Sequence, residues 1–189
     1  MNTKIKNFLF IIPLLIISFY YSIYQFESQS AVDGGLILSE LVKFPEIFSN
    51  ITSIFYNGWT ILHHFTFILL KLGCSVDLVS TILIFIITFF YTLGVYLLVI
   101  GLNQSKILAL LLALIVIISR ENFGSVDYPV LYFSEHTYGA FSLSAFTLIA
   151  GLLSNNNYKS AGFVSLLLLS SHLVVGLWVI LILFISYIF

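Results

Sequence analysis

The long apolar run after Asp77 restricts the fold of this chain more than any other feature. From Leu78 to Gly101 the chain carries no charged residue, and about 20 consecutive apolar residues let a helix cross the roughly 30 Å hydrocarbon core of a bilayer. The composition agrees, because 60% of the residues are hydrophobic and 8% are charged, against roughly 45–50% and about 25% in soluble domains. We therefore predict an all-α, integral membrane protein.

Other apolar runs extend this prediction to a polytopic transmembrane helix bundle of about five or six spans. The runs cover residues 7–24, 77–101, 107–119, 138–153 and 160–189. A helix rises about 1.5 Å per residue, so the last run is too long for one perpendicular span. We expect a break in it, either at the Ser-Ser-His sequence that ends at His172 or at Gly176. The first run exceeds the usual roughly 7–15 apolar residues of a signal peptide, which favours a retained span.

The charges predict an orientation. Lys4 and Lys6 precede the first span, and the positive-inside rule then places the N-terminus in the cytoplasm. In this orientation residues 25–76 and 120–137 form outer loops, and all eight acidic residues lie in these loops or at the outer interface. The titratable groups therefore gather on one face of the membrane.

The first outer loop contains two pieces with an apolar face. Residues 36–44 and 59–72 each place apolar side chains near helical spacing, which predicts two amphipathic helices lying at the interface. For the second piece, a short re-entrant segment or a true span over Ile61–Leu70 is the alternative. No repeat or linker divides the chain, so we predict a single transmembrane domain over 1–189. The sequence stops within an apolar run, and this pattern is compatible with the N-terminal fragment of a longer protein as well as with a whole one.

Asp33 is the strongest candidate for chemistry on the outer face. Two glycines follow it, and glycine lets the backbone turn tightly or approach another segment closely. One or more of four further acidic residues would converge with Asp33 if the loops line a cavity that opens outward: Glu27, Glu40, Asp127 and Glu135. Carboxylates there could act as a general base, bind a divalent cation or orient sugar hydroxyls. The alternative is that each acid only keeps an outer loop solvated.

The histidines are candidates of different kinds. His63 and His64 are adjacent and would point about 100° apart on a helix, so we predict polar interfacial residues. His136 follows Glu135, and the pair could supply a base and an acid, or a pair of metal ligands with Asp127, but no zinc-type spacing occurs and we predict no metal site. His172 lies inside the last apolar run, where ionisable side chains usually face a bundle interior or a wet cavity. A neutral histidine bonded to a neighbouring helix is the alternative for His172.

The order of these features resembles the N-terminal part of the GT-C class of polytopic membrane glycosyltransferases. The likeness lies in a first span, a long outer loop with an acid near its start and two interfacial helices, then closely spaced spans joined by tight inner turns. The segments Asp33–Glu46 and Ser171–Trp178 are also similar to segments of uncharacterised bacterial integral membrane proteins. Typical members of the class have many more spans and often a soluble C-terminal domain. In this chain no second acid adjoins Asp33 to complete the acidic pair of some members.

The resemblance implies that a sugar is transferred from a polyprenyl-phosphate-linked donor at the outer face of the bacterial inner membrane. It gives Asp33 the role of catalytic base or substrate binder. The donor's tail would lie between spans, and its phosphate would meet Arg120, Lys43 or Lys71. The implied partners are the lipid bilayer and the lipid-linked donor, with no nucleic acid and no certain cofactor, and the oligomeric state stays open. Besides the acid, we predict these substrate-binding residues: Glu40, Arg120, Asp127, Glu135, His136 and His172.

Two other functions compete with the enzyme. A small transporter or channel subunit would use His172 and the small residues of 138–153 to line a pathway. A non-catalytic membrane subunit would need helix packing alone. No P-loop, CxxC, HExxH or GxSxG motif occurs that would indicate another class of enzyme.

Overall fold

The computed structural model describes residues 3–24, 31–41, 58–118 and 138–188. Within these ranges the chain forms eight helices and no strand, which confirms the all-α prediction. In chain order the helices are α1 Thr3–Tyr24, α2 Ala31–Leu38, α3 Ile61–Lys71, α4 Val76–Gly101, α5 Lys106–Ile118, α6 Tyr138–Ser154, α7 Tyr158–Ser171 and α8 Leu173–Ile188.

Helix α4 is the one helix of the described ranges that is long and apolar enough to cross a membrane. Shorter apolar stretches occur in five other helices: Phe10–Ile23, Ile61–Lys71, Lys106–Ile117, Gly139–Ser154 and Leu173–Ile185. Helix length therefore does not establish five or six spans, and that number stays a prediction.

Helix α4 lies at the centre of the packing, in contact with α1, α5 and α6, and also with α2 and α3. Two of its buried hydroxyls are bonded within the helix, because Thr88 donates to the carbonyl of Ile84 at 2.6 Å and Thr92 donates to the carbonyl of Thr88 at 2.9 Å. Thr92 also shares a buried hydrogen bond of 3.4 Å with Ser18 of α1. Polar groups in an apolar interior need such partners, so these hydroxyls serve packing.

Helices α4 and α6 cross with their backbones in contact. A Cβ added to Gly94 would lie 2.6 Å from the backbone nitrogen of Leu148, and one added to Gly151 would lie 2.5 Å from the carbonyl oxygen of Gly94. Directly after α6, the side chain of Asn155 donates to the carbonyl of Leu97 at 2.6 Å. Small residues on both helices therefore permit this close approach.

Four helices end in the same way, with one residue in the left-handed region. These residues are Glu40 after α2 (φ 60°), Gly73 after α3 (φ 88°), Asn103 after α4 (φ 59°) and Asn156 after α6 (φ 57°). In each case the following amide donates to the carbonyl five residues back, as in the pair Gln104–Val99, which is the Schellman arrangement. Glycine and asparagine adopt this conformation readily, whereas glutamate does not.

The last apolar run breaks at His172, which is one of the two predicted positions. His172 has φ −144° and ψ 91°, and its amide still donates to the carbonyl of Leu168. Its Nδ1 then accepts from the amide of Val175 at 3.4 Å, so this side chain caps the N-terminus of α8. Gly176 lies against the backbone of Leu169, where a Cβ would overlap it. The other predicted break position is therefore a helix contact.

Candidate functional site

Asp33 lies inside a helix and not in a turn. Helix α2 begins at Ala31, so the predicted helix over 36–44 starts too late, and of the two roles left open for the glycines the tight turn is not the observed one. The helix begins early because Val32 anchors it. Val32 is fully buried, in a cluster with Leu70 of α3 and Leu83 of α4. The described part of this piece ends at Leu41.

The two glycines seat α2 directly on α3. A Cβ on Gly34 would overlap the imidazole ring of His63, and one on Gly35 would overlap the side chain of Thr66. Both glycines are buried. Of the two roles that sequence allowed for this pair, close approach to another segment is therefore the observed one. Asp33 sits between buried Val32 and buried Gly34, so its backbone is held on both sides.

His63 is the residue of this site that the sequence analysis missed. Only 3% of it is exposed, so its prediction as a polar interfacial residue is wrong. His64 is exposed and its Nε2 lies 2.7 Å from the carbonyl oxygen of Gly58, so the expected divergence of the two rings is confirmed. The available signal was spacing, because His63, Thr66 and Leu70 recur at the interval of one helix face.

The beginning of α3 is tied to the break between α7 and α8. Thr60, which is fully buried, caps α3 by accepting from the amide of Leu62 at 3.4 Å. Its hydroxyl also donates to the carbonyl of Ser171 at 3.2 Å. Ser171 directly precedes His172, the residue that lies between α7 and α8. Helix α3 therefore contacts both α2 and the end of α7 next to His172.

Three of the predicted site residues lie in the described ranges. Asp33 lies in α2, Glu40 lies exposed at the left-handed position after α2, and the partly buried His172 caps α8. The capping bond favours the second interpretation of His172, a structural histidine, although its partner is its own helix and not a neighbouring one. The remaining four predicted residues lie outside the described ranges: Arg120, Asp127, Glu135 and His136.

The chemistry available to the described residues is that of single groups. No three His, Cys, Asp or Glu side chains among residues 3–24, 31–41, 58–118 and 138–188 lie close enough to hold a metal ion. In this arrangement Asp33 lies on a helix whose backbone is fixed. It adjoins the α2–α3 seam, the contact of Gly34 and Gly35 with His63 and Thr66, which contains the buried imidazole of His63. A fixed backbone limits the positions that an acid can take, which is what proton transfer to a bound substrate requires.

Comparison with known proteins finds no matching family model, no matching curated protein and no matching solved structure.

Proposed function

We propose that this chain is a membrane-embedded, GT-C-like glycosyltransferase that takes a sugar from a polyprenyl-phosphate-linked donor at the outer membrane face. The observation that best supports the proposal is the setting of Asp33. The residues on either side of it, Val32 and Gly34, are buried in contacts of α2, and a solvating loop acid needs no such anchoring. A general base does, because its reach to the substrate must be set to a fraction of an ångström.

In the proposed reaction Asp33 accepts the proton of the acceptor hydroxyl while that oxygen attacks the anomeric carbon. The bond from the anomeric carbon to the phosphate oxygen breaks, and polyprenyl phosphate leaves with its electron pair. General base catalysis of this kind contributes about 10²–10⁴ in rate. A divalent cation is compatible with the reaction.

The donor phosphate is proposed to meet a cation at the interface. Lys71 is suited to this place, because it is exposed in the last turn of α3 and its ammonium group lies 5.8 Å from the centre of the Phe67 ring. Arg120 and Lys43 are the other cations of the predicted outer face. The sugar hydroxyls would bind the remaining predicted residues: Glu40, Asp127, Glu135, His136 and His172.

The membrane arrangement belongs to the same proposal. We infer about five or six spans, a cytoplasmic N-terminus and a location in the bacterial inner membrane. Exposed apolar side chains support a lipid-facing surface, notably Leu111 and Ile115 on α5 and Leu177 and Phe184 on α8. Surfaces of this kind are rare on soluble monomers.

The test is the Asp33→Asn variant. Wild type and variant are reconstituted with undecaprenyl-phosphate [14C]glucose, and a membrane extract supplies the acceptors. We expect the variant to release undecaprenyl phosphate at least about 100-fold more slowly, because the amide cannot accept the proton. Asp77→Asn is the matched control, since Asp77 is an exposed acid in the first turn of α4, and it should keep the wild-type rate. Full activity of Asp33→Asn would contradict the role of Asp33.

A transporter is the second candidate, favoured by the broken helix. Discontinuous helices at membrane depth commonly form transport sites, and α7 and α8 are separated at partly buried His172. Proton flux into pyranine-loaded proteoliposomes tests this candidate. A flux that disappears in His172→Asn, together with no consumption of the lipid-linked sugar, would favour transport over the enzyme.

A further inference from the structure

The contact between His63 and Gly34 brings a titratable ring to the residue next to Asp33. The three ring atoms nearest to a Cβ added at Gly34 are Cδ2, Nε2 and Cε1. The Nε2 edge of the imidazole therefore faces the backbone of α2 at this point. Asp33 is the preceding residue of the same helix.

A histidine is an unusual choice for this seam. The neighbouring cluster around Val32 is filled by Leu70 and Leu83, and an aliphatic side chain at position 63 could fill space in the same way. A buried polar side chain needs a polar partner, which an apolar one does not. Shape alone therefore does not explain why His63 occupies the contact with Gly34.

We propose that His63 is a positioning residue for Asp33, acting through the contact of its imidazole with α2 at Gly34. The polar edge of the ring holds α2 in one rotation on α3, and this rotation sets the place of Asp33. The catalytic consequence rests on the proposed glycosyl transfer, but the positioning itself does not. Thr66, one turn further along α3, contacts Gly35 and bonds its hydroxyl to the carbonyl of His63 at 2.9 Å. It offers a matched control in the same seam.

The first measurement reports the place of residue 33 without any need for activity. Cys74 is the only cysteine of the chain, so Asp33→Cys in a Cys74→Ser background gives a single thiol. Its reaction rate with a membrane-impermeant maleimide is compared among His63, His63→Phe, His63→Leu, His63→Gln and Thr66→Val. We expect the Phe and Leu variants to change the rate at least fivefold, and the Gln and Thr66→Val variants to stay within twofold. A cysteine at exposed position 40 should react alike in every background.

The second measurement is donor consumption by the same position 63 and 66 variants with Asp33 restored. We expect kcat to fall at least tenfold in His63→Phe with KM within twofold, and partial rescue in His63→Gln. Thr66→Val should keep the wild-type kcat. A purely structural role would lower the melting temperature and the amount of folded protein without this separation of kcat from KM.

The outcomes separate the two proposals. If wild type consumes no donor, the proposed function fails, and the labelling rates still decide the role of His63. If Asp33→Asn is inactive but all position 63 variants label and react like wild type, the positioning role is overturned. If neither apolar variant folds while His63→Gln does, the polar group is needed for folding, and the positioning role is likewise overturned.

Discussion

Two of the glycine-dependent helix contacts, the α4–α6 crossing and the α2–α3 seam, differ in what the glycine contacts. At the α4–α6 crossing, Gly94 and Gly151 bring backbone against backbone. At the α2–α3 seam, Gly34 and Gly35 bring backbone against the side chains of His63 and Thr66.

The difference indicates what each contact is for. A crossing of two backbones gains dispersion contacts and has no group that can change its charge. A seam that admits a histidine buries a polar ring, which needs polar partners, and it does so beside the candidate base. We therefore assign the α4–α6 crossing to stability, and the His63–Gly34 contact of the α2–α3 seam to the proposed site.

The largest effect is expected at the crossing. Gly94→Ala places its Cβ against the backbone of Leu148, which cannot rotate away, so the helices must separate. We expect a loss of about 3 kcal/mol in the free energy of unfolding in mixed detergent and SDS micelles. Gly162→Ala is the control, because nothing lies within 4 Å of a Cβ there. It should gain about 0.5–1 kcal/mol from helix propensity. Equal behaviour of the two variants would refute the backbone contact.

A smaller loss in the free energy of unfolding is expected at the α2–α3 seam, and a second substitution should partly relieve it. Gly34→Ala overlaps the ring of His63 and should cost about 1–3 kcal/mol. Adding His63→Ala removes the overlap, so the double variant should be more stable than the summed single effects by about 1 kcal/mol. Donor consumption should stay low in the double variant, because the imidazole is absent. If both stability and turnover recovered, the α2–α3 seam would serve packing alone. It would then not differ in role from the α4–α6 crossing.

The smallest expected effect is a gain in stability after α2. Glu40 is a glutamate in the left-handed region, at the C-terminal end of a helix where negative charge is also unfavourable. Glu40→Gly should raise the free energy of unfolding by about 1 kcal/mol, and it should raise KM for the lipid-linked sugar if Glu40 binds substrate. Asn103→Gly is the comparison, with a gain of a few tenths of a kcal/mol, because asparagine tolerates this conformation. A loss of stability in Glu40→Gly would contradict this account of the helix end.

Much of the helix pattern could be predicted from sequence, and the faces of the helices could not. The predicted spans 77–101, 107–119 and 138–153 agree with α4, α5 and α6 within a few residues, because a long apolar run between polar turns has few alternatives to a helix. The burial of His63 was missed for another reason. The buried face of α3 carries the polar residues His63 and Thr66, and apolar periodicity does not show that such a face meets protein.

The sequence by itself determined which segments are helical and where several of them end. Backbone hydrogen bonds span four residues, and the residues that cap or terminate a helix, such as Thr60, Asn103 and Asn156, act within one turn of it. Only the tertiary structure decided that Gly34 meets His63 and that Thr60 reaches the carbonyl of Ser171. Such contacts join residues far apart in the chain, and they depend on the rotation and crossing of whole helices, which local patterns leave free.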